Sequence, residues 1–187
     1  PKMQAQAETA LGNSVSNAGA TYGFSQGAVV TLDSSTGAVV ALTGGTDYKT
    51  SQFNRATLAQ RQPGSTFKIF TYTAAIEQGI SPGKFYSCEP LTWSGQRYRG
   101  CDRYSGSIDM YTGIALSENA IALRVARDVG LDNVVRMARK LGVQSPLNPV
   151  PGLVLGQSET NLLEMTGAYA VIANGGVWNR PHLISRI

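Results

Sequence analysis

Histidine occurs once in this chain, at position 182, and cysteine twice, at 88 and 101. Neither cysteine has a His or Cys neighbour at zinc-ligand spacing, which argues against a His/Cys metal centre. No run is long and apolar enough to span a bilayer, and no signal peptide opens the sequence. An exported or anchored protein would therefore have lost such a segment. Charge is sparse as well: 16 Lys and Arg against 12 Asp and Glu leave a net +4, with charged residues at 15%. The basic residues are scattered, so the dense basic face of a nucleic-acid binder is missing and no nucleic-acid partner is expected. What remains is 187 residues, 42% of them hydrophobic. That length fits one domain, or one domain with two lobes, and buries about 70% of its unfolded surface. There is no internal repeat and no low-complexity tract.

Turn and helix signals divide the chain. Residues 3–11 form a short Ala-rich helical segment, and the Gly/Ser/Asn-rich stretch from Asn13 to Thr21 reads as a loop. Two β-branched runs, Gly27–Asp33 and Ala38–Leu42, flank Ser34-Ser35-Thr36-Gly37 and predict a β-hairpin. Asp47 to Ala59 reads as loop with a short helical piece. Residues 88–101 lie in a Gly/Ser/Tyr/Arg-rich stretch that reads as a long loop. From the residues alone, a disulfide stapling that loop (which would imply an oxidising compartment) and two unrelated reduced thiols stand level. The aromatics Trp93, Tyr98 and Tyr104, interleaved with Arg97, Arg99 and Arg103, are read as local packing of that loop, with contact to anionic polymer as the alternative. Asp109 to Gly113 predicts a helical turn. Helical periods then run from Ile121 to a stop at Gly130, and from an N-cap at Asp132 to Leu141. Pro146, Pro149 and Pro151 mark an extended connection. Leu162 to Ala173 is helical, ended by Asn174-Gly175-Gly176, and Val177 to Ile187 reads as the start of a strand.

Two short boxes carry chemistry. In Arg61-Gln62-Pro63-Gly64-Ser65-Thr66-Phe67-Lys68, a Pro-Gly turn leads into an apolar-periodic helix that Gly79 closes. Positions three apart share a helix face, so Lys68 lies within reach of the Ser65 hydroxyl. A serine hydroxyl is a weak nucleophile until an adjacent base takes its proton. A lysine near a helix N-terminus, among Phe67, Ile69 and Phe70, loses its own proton more readily through burial and the helix dipole. The second box, Ser117-x-Asn119, sits at the mouth of a helix. There a hydroxyl can relay a proton and an amide can hold a substrate amide through its donor and acceptor. Taken singly, each box is better read as an N-cap with solvated neighbours, since chance matches are common.

Together, Ser65-x-x-Lys68 and Ser117-x-Asn119 resemble the first two motifs of penicillin-recognising serine acyltransferases. The likeness extends to Gln52-Phe-Asn-Arg-Ala-Thr57, Leu155-Gly156, Leu163-Glu-Met165, Ala173-Asn-Gly-Gly176 and the Gly27–Gly45 hairpin. With these, the chain from about Gln4 to Ile187 resembles the transpeptidase domain of class A penicillin-binding proteins. The resemblance implies an α+β fold: an antiparallel sheet flanked by helices, plus a helical lobe, over residues 1–187. It implies a D,D-transpeptidase that cross-links peptidoglycan stem peptides through an acyl-enzyme on Ser65 and is acylated by β-lactams. Lys68 would be the base for acylation, Ser117 the proton relay, Asn119 a substrate-amide contact, and the Ser65 N–H one oxyanion donor. No metal or organic cofactor is needed, and the site would lie outside the cytoplasmic membrane, anchored to it in the full-length protein.

One family feature is missing. The third box, Lys-Thr/Ser-Gly on a strand, has no counterpart; Lys49-Thr50-Ser51 lacks the glycine and precedes the nucleophile. The sheet is therefore expected to be incomplete in this chain, and the chain to be one piece of a split domain whose complementary chain carries the third motif. The glycosyltransferase domain that the resemblance implies for a class A protein is likewise expected to lie outside these 187 residues. Two alternatives share the boxes. A serine β-lactamase would need a water-activating group, for which Glu159 lies in the right interval, although Glu159 also suits a helix N-terminus. A non-catalytic muropeptide or β-lactam binding module would need neither.

Overall fold

The computed structural model describes residues 2–184. It divides into two compact units, residues 1–61, 141–145 and 160–187 in the first and residues 62–140 and 146–159 in the second.

In the first unit, α1 (Lys2–Tyr22) runs the full length of what composition divides into a helix and a loop. Tertiary contacts override the Gly/Ser/Asn-rich sequence. Ala7 and Leu11 are buried where α1 packs on β2 (Val39–Thr43). Gln4 pairs with the edge of that strand, accepting from the Leu42 N–H at 2.9 Å and donating to the Leu42 carbonyl at 3.0 Å. Gly19 leaves room for the Phe24 carbonyl, which a Cβ would strike, and Gly23, at φ +72°, ends the helix. β1 (Val29–Leu32) pairs antiparallel with β2 in the register Val29↔Thr43 to Leu32↔Val39, with a bulge at Thr31/Leu32. The hairpin turn matches the sequence expectation: Asp33 Oδ1 accepts from the Ser35 amide and hydroxyl, and Gly37 takes φ +80°.

The hairpin also meets α7 (Leu162–Ala173), which packs on β1. The Asn161 carboxamide caps α7 by accepting from the Glu164 N–H at 2.9 Å. Glu164 in turn accepts from the amide and hydroxyl of Ser145, tying residues 141–145 to the helix. The strand expected over Val177–Ile187 reduces to one parallel bridge, Ala38↔His182, made by Val39 N–H to the His182 carbonyl and His182 N–H to Gly37. Residues 185–187 of that expectation lie outside the described residues.

The second unit is built around α4 (Asn119–Val129). Seven of its eleven residues are buried, among them Ile121, Leu123 and Val125, so a wide apolar face turns to the core while Arg124, Arg127 and Asp128 form a polar stripe. A 3₁₀ turn (Gly64–Phe67) leads into α2 (Lys68–Glu77), which packs on α4 and on α5 (Leu131–Lys140). Phe67 and Phe70 are fully buried and meet edge to face at 4.6 Å. Each such side chain contributes about 1.5–3 kcal/mol relative to exposure.

The stretch expected to be a long loop instead forms two short ribbons. β3 (Phe85–Ser87) pairs with β6 (Ser107–Asp109), and β4 (Leu91–Trp93) with β5 (Gln96–Tyr98). Three-residue strands are too short to show a period of two, but the Ser94-Gly95 turn has both residues at positive φ, as a two-residue hairpin requires. Cys88 and Cys101 form a disulfide, Cα to Cα 4.9 Å. Tyr98 is buried and Trp93 lies under Arg127, so packing accounts for both, while Tyr104 is exposed.

Two helix boundaries also differ from expectation. Asp132 sits in the first turn of α5 and does not cap it, because Gly130, at φ +88°, lets α5 start directly after α4. Pro151 opens a short buried helix, α6 (Pro151–Val154), where an extended segment is expected. Its missing N–H costs nothing at the first helical position. α3 (Met110–Ala115) is capped by Asp109, which accepts from the Thr112 N–H at 2.7 Å. Every sheet among the described residues has two strands, so the architecture is mixed α/β with an incomplete sheet.

Candidate active site

Both boxes fall in the second unit, which therefore carries the candidate site by itself. Ser65 lies in the 3₁₀ turn, opened by Pro63 and by Gly64 at φ +58°. Behind that turn stands Gly156, at φ +75°, whose amide and carbonyl region is pressed onto the backbone of Gly64; Gly64 N–H donates to the Gly156 carbonyl at 3.4 Å. Ser65 is exposed and its hydroxyl makes no hydrogen bond among the described residues. Its amide belongs to the first turn of the helical segment, where N–H groups have no intrahelical acceptor.

Lys68 is the first residue of α2 and is only 2% exposed. Its ammonium donates to the Ser117 carbonyl at 2.5 Å and to Ser117 Oγ at 3.1 Å. The spacing that aligns Lys68 with Ser65 thus delivers it, in this structure, onto the second box. Catalytic hydrogen bonds are commonly long or unformed before substrate binds. Burial holds the Lys68 pKa below the ordinary lysine value, and the negative charges of Glu118 and then Asp102 oppose that shift.

The second box is a helix-to-helix corner. Ser117 follows α3 with φ +57°, and the Ser117 and Glu118 amides close back onto Ile114 and Gly113. A non-glycine residue in this left-handed position is uncommon and costs about 1–2 kcal/mol. The corner makes side chains alternate: Ser117 and Asn119 are exposed, and Glu118 between them is 3% exposed. Gly113 is required here because a Cβ would collide with Ile121, which brings α3 hard against α4.

Sequence reasoning missed Glu118. Its carboxylate accepts from the Asp102 N–H at 2.9 Å, next to the disulfide at Cys101. Nothing in a Ser-x-Asn pattern marks the middle residue as buried; only the Ser117 corner does. Tyr72, one turn beyond Lys68 on α2, is buried with its hydroxyl unpartnered among the described residues. Burial, then Tyr86 and Glu118, push its titration well above the usual tyrosine range.

Other candidates lie elsewhere. Glu159 is exposed and precedes the α7 cap, which Asn161 supplies. Lys49-Thr50-Ser51 belongs to a turn closed on Asp47, not to a strand. No group of three or more His, Cys, Asp or Glu side chains among the described residues is placed to hold a metal ion. Among those residues no helix is long and apolar enough to cross a membrane.

Residues 27–187 match the family model described as the penicillin binding protein transpeptidase domain. The chain is 40% identical over 170 residues to penicillin-binding protein 1A of Rickettsia conorii, a match covering 86% of this chain and 21% of that protein. It thus spans about a fifth of the length of the curated relatives it matches. Among solved structures, penicillin-binding protein 1A of Haemophilus influenzae aligns with a TM-score of 0.77 at 34% identity, covering 84% of this chain and 25% of that one. PonA1 of Mycobacterium tuberculosis in complex with penicillin V aligns with a TM-score of 0.75 at 30% identity, over 91% of this chain and 50% of that one.

Proposed function

We propose that this chain, which belongs to the penicillin binding protein transpeptidase domain family, is the part of a peptidoglycan D,D-transpeptidase that carries the nucleophile and its base. The observation that supports this most directly is the buried Lys68 Nζ set against Ser117, three residues from an exposed serine on the first turn of the same helical segment.

In this reading Lys68, as the neutral amine, takes the Ser65 proton while Ser65 Oγ bonds to the carbonyl carbon of the penultimate D-Ala of a stem peptide. The developing oxyanion is stabilised by the Ser65 N–H at the helix N-terminus. The C–N bond then breaks, and the proton passes from Lys68 through Ser117 Oγ to the departing D-Ala amine. An amine of a neighbouring stem peptide attacks the ester carbon, forms the cross-link and returns Ser65 to its hydroxyl, with the proton moving back along the same route. Asn119 holds the substrate amide. A β-lactam enters by the first half of this sequence and stays as an adduct. We place the domain outside the cytoplasmic membrane, over residues 1–187 as an incomplete transpeptidase domain, with the third motif supplied by residues beyond this stretch or by a complementary chain.

Incubation with a penicillin, followed by intact-mass measurement and peptide mapping, tests the reading. A stable adduct on Ser65, abolished in Ser65→Ala, is the expected result. If a longer chain that includes a Lys-Thr/Ser-Gly strand also fails to label, the acyl-enzyme reading falls. Fast release of hydrolysed penicillin would instead favour a β-lactamase.

A further inference from the structure

Glu118 is a nearly fully buried carboxylate for which the two-box reading has no use. It sits between Ser117, whose oxygens hold the Lys68 ammonium, and Asn119. A buried carboxylate without compensation is costly, so its surroundings identify its role. Among the described residues it accepts one hydrogen bond, from the Asp102 amide, which follows directly on Cys101 of the Cys88–Cys101 disulfide. Its charge falls on two side chains of one α2 face, Lys68 and Tyr72. The groups acting on Lys68 are Glu118 and Asp102, while Tyr72 is faced by Glu118 and Tyr86. The charged groups that α5 brings to α2 lie at the other end of that helix, where Lys140 pairs with Glu77. Arg124 of α4 is turned to the Glu89 carbonyl.

Resting on the assignment of Lys68 as base, we infer that Glu118 is a positioning residue: the fixed buried counter-charge for the ammonium that Lys68 becomes on accepting the serine proton. A base that is only 2% exposed has little water to solvate that product cation. A carboxylate held behind Ser117 supplies the solvation in fixed form and stabilises the charge as it develops. Its charge opposes the lowering that burial imposes on Lys68, so the amine keeps enough basicity to take the serine proton. The Ser117 corner leaves Ser117 and Asn119 exposed and turns Glu118 inward.

The test is Glu118→Gln in the intact protein, read two ways. Competitive labelling of lysines with fluorodinitrobenzene across pH, quantified on the Lys68 peptide by mass spectrometry, reports the Lys68 midpoint without any requirement for catalysis. Penicillin acylation across pH reports the working base. The expected result is a Lys68 midpoint moved to lower pH, with the acid limb of acylation moving the same way while its plateau falls. Simple structural damage lowers the plateau without moving the limb. Glu118→Asp, which keeps the charge but withdraws it, falls between the two and serves if the Gln variant does not fold. An unmoved Lys68 midpoint in a folded variant overturns the inference and leaves the Ser65 reading intact. A moved midpoint in a protein that penicillin never acylates upholds the counter-charge and overturns the Ser65 reading.

Discussion

Gly156 lies so close to Gly64 that a Cβ on Gly156 would overlap the Gly64 carbonyl oxygen and amide nitrogen. Gly64 immediately precedes Ser65, so this contact sets the turn that presents the serine. It couples α6, on which Gly156 follows, to the start of the α2 segment within one unit.

Gly156→Ala should therefore act on both stability and acylation. At φ +75° an alanine pays about 1–2 kcal/mol for its backbone alone. Relief of the clash must then displace backbone on one side, since neither neighbour is a flexible side chain. We expect a lower urea midpoint together with penicillin acylation slowed by more than the stability loss explains. Gly79→Ala, which has the same kind of positive φ but open space for its Cβ, is the control and should lose stability only. Equal acylation in the two variants would show that the Gly64–Gly156 contact does not position Ser65.

Lys68 yields a prediction with a definite sign. Burial lowers its folded pKa below the ordinary 10.5. Between the folded value and 10.5 the unfolded chain binds more protons than the folded one, so this group's contribution to stability rises with pH through that window. It is lost again as pH falls through the folded value. Lys68→Met removes the dependence. The unfolding free energy of the parent minus that of the variant should accordingly climb with pH between the folded value and 10.5, measured by urea denaturation at a series of pH values. A flat difference would mean that Lys68 is not shifted. The same variant should acylate about 10²–10⁴-fold more slowly, the range for removal of a general base.

How much of this was legible in the sequence depends on where the determining contact lies. The α7 boundaries were readable at both ends, because the Asn161 cap and the Asn174-Gly175-Gly176 stop are local in the chain. The hairpin and its Asp33–Gly37 turn were readable for the same reason. Helix α1 was not: Asn13, Ser14, Ser16 and Gly19 look like loop, yet the helix runs on through them to Tyr22, where Gly19 is buried and its carbonyl accepts from the Phe24 N–H, a contact outside any local pattern. Ser65, Lys68, Ser117 and Asn119 were nameable because their spacing is local. That the lysine rests on Ser117, and that Glu118 is buried behind it, depends on the φ of one residue, which composition does not reveal.

The disulfide offers a test of how the second box is supported. Cys88 and Cys101 enclose a short loop, for which a cross-link is worth about 3 kcal/mol through the unfolded state. The Cys88→Ser/Cys101→Ser protein should lose roughly that much by urea unfolding. Since Asp102 follows directly on Cys101, the Asp102 amide on Glu118 should also gain hydrogen-exchange rate ahead of global unfolding. Unchanged exchange at Asp102 would show that β3–β6 pairing alone fixes it.

In the first unit, Gln4 offers a test of how a helix is held to a strand edge. Its carboxamide both donates to and accepts from Leu42, the pattern by which a neighbouring strand would bind, and so satisfies one residue of the open β2 edge. Each such bond contributes about 0.5–1.5 kcal/mol net. Gln4→Ala should therefore destabilise the unit by about 1–3 kcal/mol. Gln4→Glu should cost at least as much, since it keeps the acceptor for the Leu42 N–H but sets a carboxylate oxygen against the Leu42 carbonyl. A carboxylate protonates near pH 4, which restores a donor, so the Glu variant should recover toward the parent as pH falls through that region. Urea unfolding at pH 7 and pH 4 distinguishes the cases. A Glu variant no less stable than the parent at pH 7 would mean that the α1–β2 contact rests on Ala7 and Leu11 alone.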